Sequence, residues 1–270
     1  MTSLAPTTMS RTELHEKLLA LNLHRLAEDF DDFLARATKQ RLSPESVVEQ
    51  VVRLELAERE RRSLERRMTR SRLGRFKPMA DFDWAWPTLI DKDPIERALS
   101  GQLVKERGNL VLVAAQGLGK TMIARNIAHN AVMLGHSALF VEAAQMLLDL
   151  GSRDSARALE HRLRHYARPD VLCIDEIGYL SYDARGADLL FQVISRRHES
   201  KSVVVTTNLA FSDWPTIFPS AACLVALIDR LTHHAETASI EGESYRRREA
   251  ELASKERRAK KKKQPKDDEA

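Results

Sequence analysis

The chain has few of the residues that mark secreted or membrane-spanning proteins. Its 270 residues include two cysteines, Cys173 and Cys223, whose spacing fits neither a disulfide framework nor a metal site. No apolar run approaches the length of a membrane span, and the N-terminal stretch lacks the apolar segment of a secretory signal. We therefore expect a cytoplasmic protein that makes no membrane contact.

Charge is abundant and unevenly spread. Charged residues make up 30% of the chain, the formal net charge is +4, and the hydrophobic share of 43% is enough for a core. The positive excess is modest, but arginine is concentrated in residues 59–75. Clustered positive charge is what binding to a polyanion requires, so nucleic acid is a candidate partner.

A glycine-rich loop is the most specific feature of the sequence. The apolar run 110–113 predicts a buried strand, which breaks into QGLGKT before a helical pattern begins. In that arrangement, backbone N–H groups surround a phosphate chain, the lysine contacts its outer phosphates, and the threonine hydroxyl can ligate Mg²⁺. The predicted nucleotide-binding residues are Gln116, Gly117, Leu118, Gly119, Lys120, Thr121 and Met122.

One position departs from the usual form of this loop. Ala114 stands where a leading glycine is expected. Alanine costs little there if the backbone is extended, and more if the position needs a positive φ. The alternative, an ordinary strand–turn–helix that happens to contain Gly-Lys, agrees less well with the spacing.

Polar residues follow two further predicted strands. Asp175 and Glu176 come after the apolar run 171–174, so that one carboxylate is placed to hold Mg²⁺ and the other to deprotonate an attacking water. Asn208 follows the strand 202–206, where its amide could contact a γ-phosphate or that water. The alternatives are a chance acidic pair on the surface and an ordinary turn asparagine.

Strands and helices alternate through the second part of the chain, which predicts a parallel sheet covered on both faces. We therefore predict an α/β P-loop NTPase core at residues 96–248, preceded by an aromatic and proline-rich linker at 75–95 that packs on it. Residues 249–270 form a basic tail, predicted to be disordered, that either contacts DNA loosely or keeps the protein soluble. The predicted strands are 110–113, 138–141, 171–174 and 202–206, and the predicted helices are 94–103, 121–134, 143–150, 155–166 and 183–197.

Residues 1–74 are predicted to form a small helical domain with a basic end. Its helices begin at a capping box, Ser10 to Glu13, then cover 23–37, and then run from Ser43-Pro44 to a C-cap at Gly74. A solvated helix balanced by glutamates is one interpretation of the basic end, but arginines outnumber glutamates there, which favours binding to DNA phosphates. The candidate DNA contacts are Arg59, Arg62, Arg66, Arg67 and Arg70.

Five sequence motifs together resemble one known family. They are GLGKT, IDEIGYL, VVTTNLAFSDWPTIF, ALIDRLTHHAE and SIEGESYRRR. In these motifs, and from the N-terminal helices to about Arg248, the chain resembles the IstB family of transposition helper ATPases. That family is an AAA+ group close to the bacterial helicase loaders of the DnaC kind.

The resemblance implies roles for individual residues. Lys120 and Thr121 would belong to Walker A, Asp175 and Glu176 to Walker B, and Asn208 to sensor 1. Arg230 would be an arginine finger that reaches the ATP of a neighbouring subunit; the alternative from its position alone is a salt bridge with Asp229 or another neighbour. Arg246 matches a sensor-2 position in a chain that is short for a full helical lid. The stretch 143–166 would correspond to a DNA-contacting insertion carrying Arg157, Arg162 and Arg164.

The resemblance also implies a function. It is that of an AAA+ ATPase, using ATP and Mg²⁺, that oligomerises on double-stranded DNA and helps a transposase select its target. Contact with the DNA backbone without base readout fits such a role. Ala114 and Gln116 depart from the usual loop and would weaken nucleotide binding. The alternatives are a replicative helicase loader, a P-loop kinase and a non-hydrolysing DNA scaffold, of which the last is disfavoured by Glu176.

Overall fold

The computed structural model describes residues 9–179, 181–219, 222–251 and 254. The chain divides into two compact units, residues 1–66 and residues 67–270. Within the described ranges, no helix is both long enough and apolar enough to cross a membrane. The predicted tail at 249–270 lies outside the described residues, apart from 249–251 and 254.

The first unit is helical, as the sequence predicts. Its core contains Leu18, Leu26, Ala27 and Phe33. The predicted capping box is present, since the Ser10 hydroxyl accepts from the Glu13 N–H at 3.3 Å and the Glu13 carboxylate accepts from the Ser10 N–H at 2.9 Å. The helices are α1 (Arg11–Ala20), α2 (His24–Glu28), α3 (Phe30–Lys39) and α4 (Pro44–Ser71), the last of which runs across the boundary between the units.

Two predicted helix boundaries in this part of the chain are wrong. The stretch 23–37 is not one helix, because Asp29 leaves helical geometry with φ −103° and ψ 19° between α2 and α3. In α2, the Leu26 N–H donates to the buried Glu55 carboxylate at 2.7 Å. This tertiary contact could not be predicted from the periodicity of the apolar residues. At the other end, α4 stops before Gly74, because Arg72 takes a left-handed φ of 55° directly after Ser71.

The described part of the second unit contains one six-stranded sheet. The strand order is β1-β6-β2-β5-β4-β3, and all neighbouring strands are parallel except β1 and β6. The predicted parallel sheet is therefore confirmed, with two strands at one side that the sequence did not predict. The strands are β1 (Leu89–Ile90), β2 (Asn109–Ala114), β3 (Ala138–Glu142), β4 (Val171–Ile177), β5 (Ser202–Thr207) and β6 (Ala235–Glu241).

Helices cover both faces of this sheet. One face packs against α7, and the other against a core shared by α8, α9, α10 and α12. The predicted helix 94–103 is two helices, because Gly101 separates them with a left-handed φ of 84°. The helices of this unit include α5 (Lys92–Leu99), α6 (Gln102–Glu106), α7 (Lys120–Met133), α8 (Ala143–Gly151), α9 (Ala156–Ala167), α10 (Ala184–Arg197), α11 (Trp214–Ile217) and α12 (Leu224–Thr232), and residues 245–251 are also helical.

A buried arginine fixes the edge of the sheet where β4 and β5 begin. Arg197, the last residue of α10, has no exposed surface, and burial lowers the pKa of its guanidinium to about 9. Its hydrogen bonds compensate for that burial and hold the turn before β4 against the start of β5. The acceptors are the backbone carbonyls of Tyr166, Ala167, Pro169, Asp170 and Ser202.

Candidate active site

The carboxyl ends of β2, β4 and β5 border one cavity of about 520 Å³. Ligands commonly bind at this edge of parallel α/β sheets. The complete predicted loop, from Gln116 to Met122, lines the cavity together with Glu176, Asn208 and Arg246. The fold therefore brings residues from four separate sequence motifs to one place.

Two glycines let the loop turn closely beneath its neighbours. Gly117 and Gly119 have φ values of 83° and 88°, a region in which a side chain is strained. A Cβ atom on Gly117 would lie 2.1 Å from the Ser244 Oγ, and one on Gly119 would lie 2.6 Å from Cε2 of Phe82. Gly119 also precedes the first turn of α7, whose N–H groups are the phosphate donors expected at such a loop.

The Lys120 ammonium lies inside the loop. Its Nζ donates to the carbonyls of Ala114 at 2.6 Å and Ala115 at 2.9 Å, so one of its three donors remains for a phosphate oxygen. Burial lowers the pKa of Lys120, and the charge of Arg246 lowers it further. The carboxylates of Asp175 and Glu176 oppose that shift. An anion bound here would meet a half-buried positive charge.

Ala114 does not require glycine. It is the last residue of β2, pairs with Ile240 of β6, and is not among the described residues with positive φ. Extended backbone accepts a Cβ without strain. Alanine in place of the expected glycine therefore costs little at this position.

A β-bulge shapes the acidic end of β4. Ile174 pairs with Val205 and Ile177 with Thr207, so that Asp175 and Glu176 together face the single residue Thr206. Glu176 takes a left-handed φ of 62°, unusual for a residue with a side chain, and its carboxylate lies exposed at the cavity. Asp175 remains buried in the strand. The bulge thus separates two adjacent carboxylates into different environments.

Thr206 fixes both acidic residues and was not among the predicted site residues. Its hydroxyl donates to Oδ1 of Asp175 at 2.5 Å and accepts from the Glu176 N–H at 2.9 Å. It lies in the VVTTNLAFSDWPTIF motif near the end of an apolar strand, but neither signal predicted its contacts with the acidic residues. Its partners come from a different strand, so the pairing depends on sheet order.

The residues expected at Mg²⁺ are mutually adjacent. The Thr121 hydroxyl lies 3.2 Å from Oδ1 of Asp175 and donates to it. A hydroxyl and a carboxylate beside a phosphate-binding loop are the oxygen ligands that Mg²⁺ prefers, with waters filling its other positions. The donor set therefore fits Mg²⁺.

Arg230 lies elsewhere in the unit. It is on α12, where its guanidinium donates to the Ser195 hydroxyl and lies 4.6 Å from the ring centre of Phe191 on α10. It is absent from the cavity lining among the described residues. Within a single chain it therefore belongs to the contact between α10 and α12.

The predicted DNA-contacting arginines fall into three groups. Three are engaged in ion pairs: Arg62 with Glu58, Arg162 with Asp149 and Arg164 with Glu160. Arg67 is half-buried and donates to the Val132 carbonyl at 3.4 Å. The remaining side chains are exposed and form no ion pair within the described part of the chain, namely Arg59, Arg66, Arg70 and Arg157.

Two further segments wall the cavity, the end of the SIEGESYRRR motif and the aromatic stretch 75–95. Tyr245 donates its N–H to the Gly117 carbonyl at 3.0 Å, which brings residues near the C-terminal end onto the loop. Trp86 donates from Nε1 to the Glu243 carbonyl at 2.8 Å, and the Arg248 guanidinium lies 4.2 Å from the Trp86 ring centre. The aromatic stretch 75–95 also reaches this place, since Phe82 and Trp86 line the cavity.

Comparison with known proteins confirms the family resemblance. The model of the family described as IstB-like ATP binding protein matches residues 16–253. The chain is 31% identical over 242 residues to the inferred ATP-binding protein of insertion sequence IS5376 from Geobacillus stearothermophilus, covering 90% of this chain and 96% of that protein. It is 33% identical over 242 residues to the inferred ATP-binding protein of insertion sequence IS21 from Pseudomonas aeruginosa, covering 89% and 91%.

The fold is also found among solved structures. The crystal structure of DnaI aligns with a TM-score of 0.50 and 18% sequence identity, covering 60% of this chain and 90% of that one. At this level of identity the comparison concerns the fold alone. It agrees with the predicted AAA+ architecture, a mostly parallel sheet between helices with helices preceding it.

Proposed function

Because this chain belongs to the family of IstB-like ATP-binding proteins, we propose that it hydrolyses ATP, assembles on duplex DNA and helps a transposase engage target DNA. The observation that carries the proposal is the convergence of Lys120, Thr121, Glu176 and Asn208 on one cavity. A protein that only held nucleotide would not need a water-activating carboxylate. ATP hydrolysis does need one.

Each residue of the site has a distinct part in hydrolysis. The N–H groups at the start of α7 and the Lys120 ammonium bind the phosphate chain of ATP. Thr121 and Asp175 would hold Mg²⁺, which neutralises charge on the phosphates when it is bound. These groups bind the substrate and position it, so their loss should impair binding first.

Glu176 performs the proton transfer. Its carboxylate takes a proton from a water whose oxygen forms the new bond to the γ-phosphorus, while the bond from that phosphorus to the bridging oxygen breaks and ADP leaves. Asn208, at the end of the adjacent strand, orients the water or the γ-phosphate. Thr206 acts through Asp175 and Glu176, and is therefore a positioning residue.

The DNA partner is supported by charge. Exposed arginines without ion pairs among the described residues, such as Arg66 and Arg157, are suited to phosphate oxygens. Contacts of this kind hold the duplex without reading its sequence. The transposase partner is supported by the relatives named for insertion sequences.

Two substitutions test the hydrolytic part of the proposal. Lys120→Ala should abolish ATP binding, because the charge facing the phosphates is removed. Glu176→Gln should bind ATP normally and hydrolyse it on the order of 100-fold more slowly or worse, the contribution typical of a general base. Binding is measured with a fluorescent ATP analogue and turnover by phosphate release.

Glu96→Gln, which alters an exposed carboxylate on α5, is the matched control and should behave as the unchanged protein. Normal hydrolysis by Glu176→Gln would show that this glutamate is not the base.

A further inference from the structure

Three potential metal-binding side chains meet outside the nucleotide cavity. Oε1 of Glu199 lies 4.0 Å from Nε2 of His198 and 3.8 Å from Nδ1 of His233, and all three ligand atoms lie within 4.8 Å of one another. These distances are too long for direct hydrogen bonds, yet one oxygen faces both imidazoles. We propose that His198, Glu199 and His233 form a binding site for a transition-metal ion, best matched by Zn²⁺.

The site lies at the edge of the sheet opposite the nucleotide cavity. His198 and Glu199 come just before the start of β5, and His233 comes just before the start of β6. The cavity is at the other ends of the strands, roughly 15 to 20 Å away for strands of this length. A metal bound here is therefore separate from the Mg²⁺ expected beside Thr121.

Hydrogen-bonded turns hold the three proposed metal ligands, with His198 and Glu199 in one turn and His233 in another. His198 and Glu199 directly follow Arg197, whose buried guanidinium is held by five carbonyls. His233 is held through Asn109, whose side-chain amide donates to the His233 carbonyl at 3.4 Å and whose N–H donates to the His234 carbonyl at 3.0 Å. The backbone of the site is thus fixed before any ion binds, which lowers the entropic cost of binding.

The local field favours a cation. His198 and His233 are the C-cap residues of α10 and α12, so the negative ends of two helix dipoles converge at the site. Glu199 adds a full negative charge. The nearby Lys201 ammonium is engaged with the Asp170 carboxylate, which reduces its competition for Glu199.

The ligand set selects among metals. Two imidazole nitrogens and one carboxylate oxygen suit Zn²⁺ with an open fourth position for water, whereas Mg²⁺ and Ca²⁺ prefer oxygen ligands alone. Ligand atoms about 2.1 Å from Zn²⁺ in tetrahedral geometry lie about 3.4 Å apart. The Glu199 side chain is 63% exposed, so its carboxylate can rotate towards both imidazoles.

A metal at this site would join the ends of two packed helices. Arg230 and Ser195, which are hydrogen-bonded, each lie about one turn before a ligand histidine on the same helix. The ion would therefore fix α12 against α10 next to Arg230. The test below measures metal binding and not ATP turnover, so its outcome is independent of the proposed hydrolysis.

Zinc titration of the full-length protein, stripped of metal with a chelator, tests the site. A chromogenic chelator competes for Zn²⁺, and the number and affinity of bound ions are compared among variants. The unchanged protein should bind one more tight ion than His198→Gln or His233→Gln, and Glu199→Gln should weaken that ion by roughly tenfold or more. Zn²⁺ should raise the melting temperature of the unchanged protein more than that of Glu199→Gln.

His161→Gln, on an exposed part of α9, is the control and should retain the ion. Metal-free circular dichroism and melting temperature must match the unchanged protein for a histidine variant to count. If neither His198→Gln nor His233→Gln folds, Glu199→Gln, which alters an exposed side chain in a turn, decides whether the site binds zinc. The proposal would be overturned if every variant bound as much zinc as the unchanged protein. It would also be overturned if His161→Gln lost as much zinc as the variants of His198 and His233.

Discussion

At the scale of single residues, the glycine-rich loop at the nucleotide site depends on Gly119 having no Cβ atom. Gly119 has a left-handed backbone conformation. A Cβ atom at this position would lie 2.6 Å from the phenyl ring of Phe82. Gly135, between α7 and β3, has a similar φ of 97° but nothing within 4 Å of its hypothetical Cβ. An alanine would therefore meet backbone strain at either position, but a close contact only at position 119.

Gly119→Ala should reduce ATP affinity by on the order of tenfold or more, because relief of the clash moves either the loop or Phe82. Gly135→Ala should leave ATP affinity unchanged and cost about 1 kcal/mol of unfolding free energy, the usual penalty for a left-handed alanine. Isothermal titration with ATP and denaturant unfolding provide the two quantities. Equal ATP affinity in both variants would show that the Phe82 contact does not constrain the loop.

The sequence predicted the residues that line this cavity better than the residues that hold them in place. Lys120 and Glu176 follow apolar strands at recognisable spacing, and local pattern was enough to predict that they lie together at the cavity. Thr206 and Phe82 act through contacts with residues distant along the chain, and no local spacing encodes those contacts. Their roles become visible only when strand order and the path of the 75–95 segment are known.

At the scale of elements, long apolar strands were predictable and polar ones were not. The buried strands β2, β3, β4 and β5 were each predicted from an apolar run. β6 was missed because its side chains alternate between exposed residues such as Glu241 and buried ones such as Ile240. Its pairing with β2 is set by the fold rather than by its own hydrophobicity.

The basic end of α4 is the element on which DNA binding is most directly tested. Substituting Arg59, Arg66 and Arg70 by glutamine should weaken duplex binding about equally for unrelated sequences. It should also flatten the slope of log affinity against log salt by about 3, because each phosphate neutralised by an arginine adds about 0.9 to that slope. Fluorescence anisotropy over a series of salt concentrations measures both effects.

The control removes charge from the same helix at arginines that are already ion-paired. Arg53 lies 2.5 Å from a Glu49 carboxylate oxygen, and Arg61 pairs with Glu58 and Glu65. Replacing both by glutamine should change DNA binding little. Unchanged binding in the triple variant would favour a merely solvated helix, and weaker binding to one DNA sequence only would indicate base readout.

At the scale of the whole molecule, a single chain supplies most of the proposed hydrolytic site but leaves Arg230 outside it. Its guanidinium contacts Ser195 and Phe191 and does not line the cavity. If Arg230 acts in hydrolysis, it reaches the ATP of another subunit, where it would stabilise the charge that develops at the γ-phosphate. We therefore propose that the active unit is an assembly on DNA.

Mixing two inactive variants tests that claim most directly. Lys120→Ala retains Arg230 but has no working pocket, while Arg230→Ala retains the pocket but has no finger. Each variant alone should show no ATPase at the same total concentration, with a melting temperature close to that of the unchanged protein. Mixed on duplex DNA, they should recover part of the ATPase, with a maximum at an intermediate ratio. Absence of recovery at every ratio, in samples shown to contain mixed oligomers, would contradict the account and leave Arg230 a structural residue of α12.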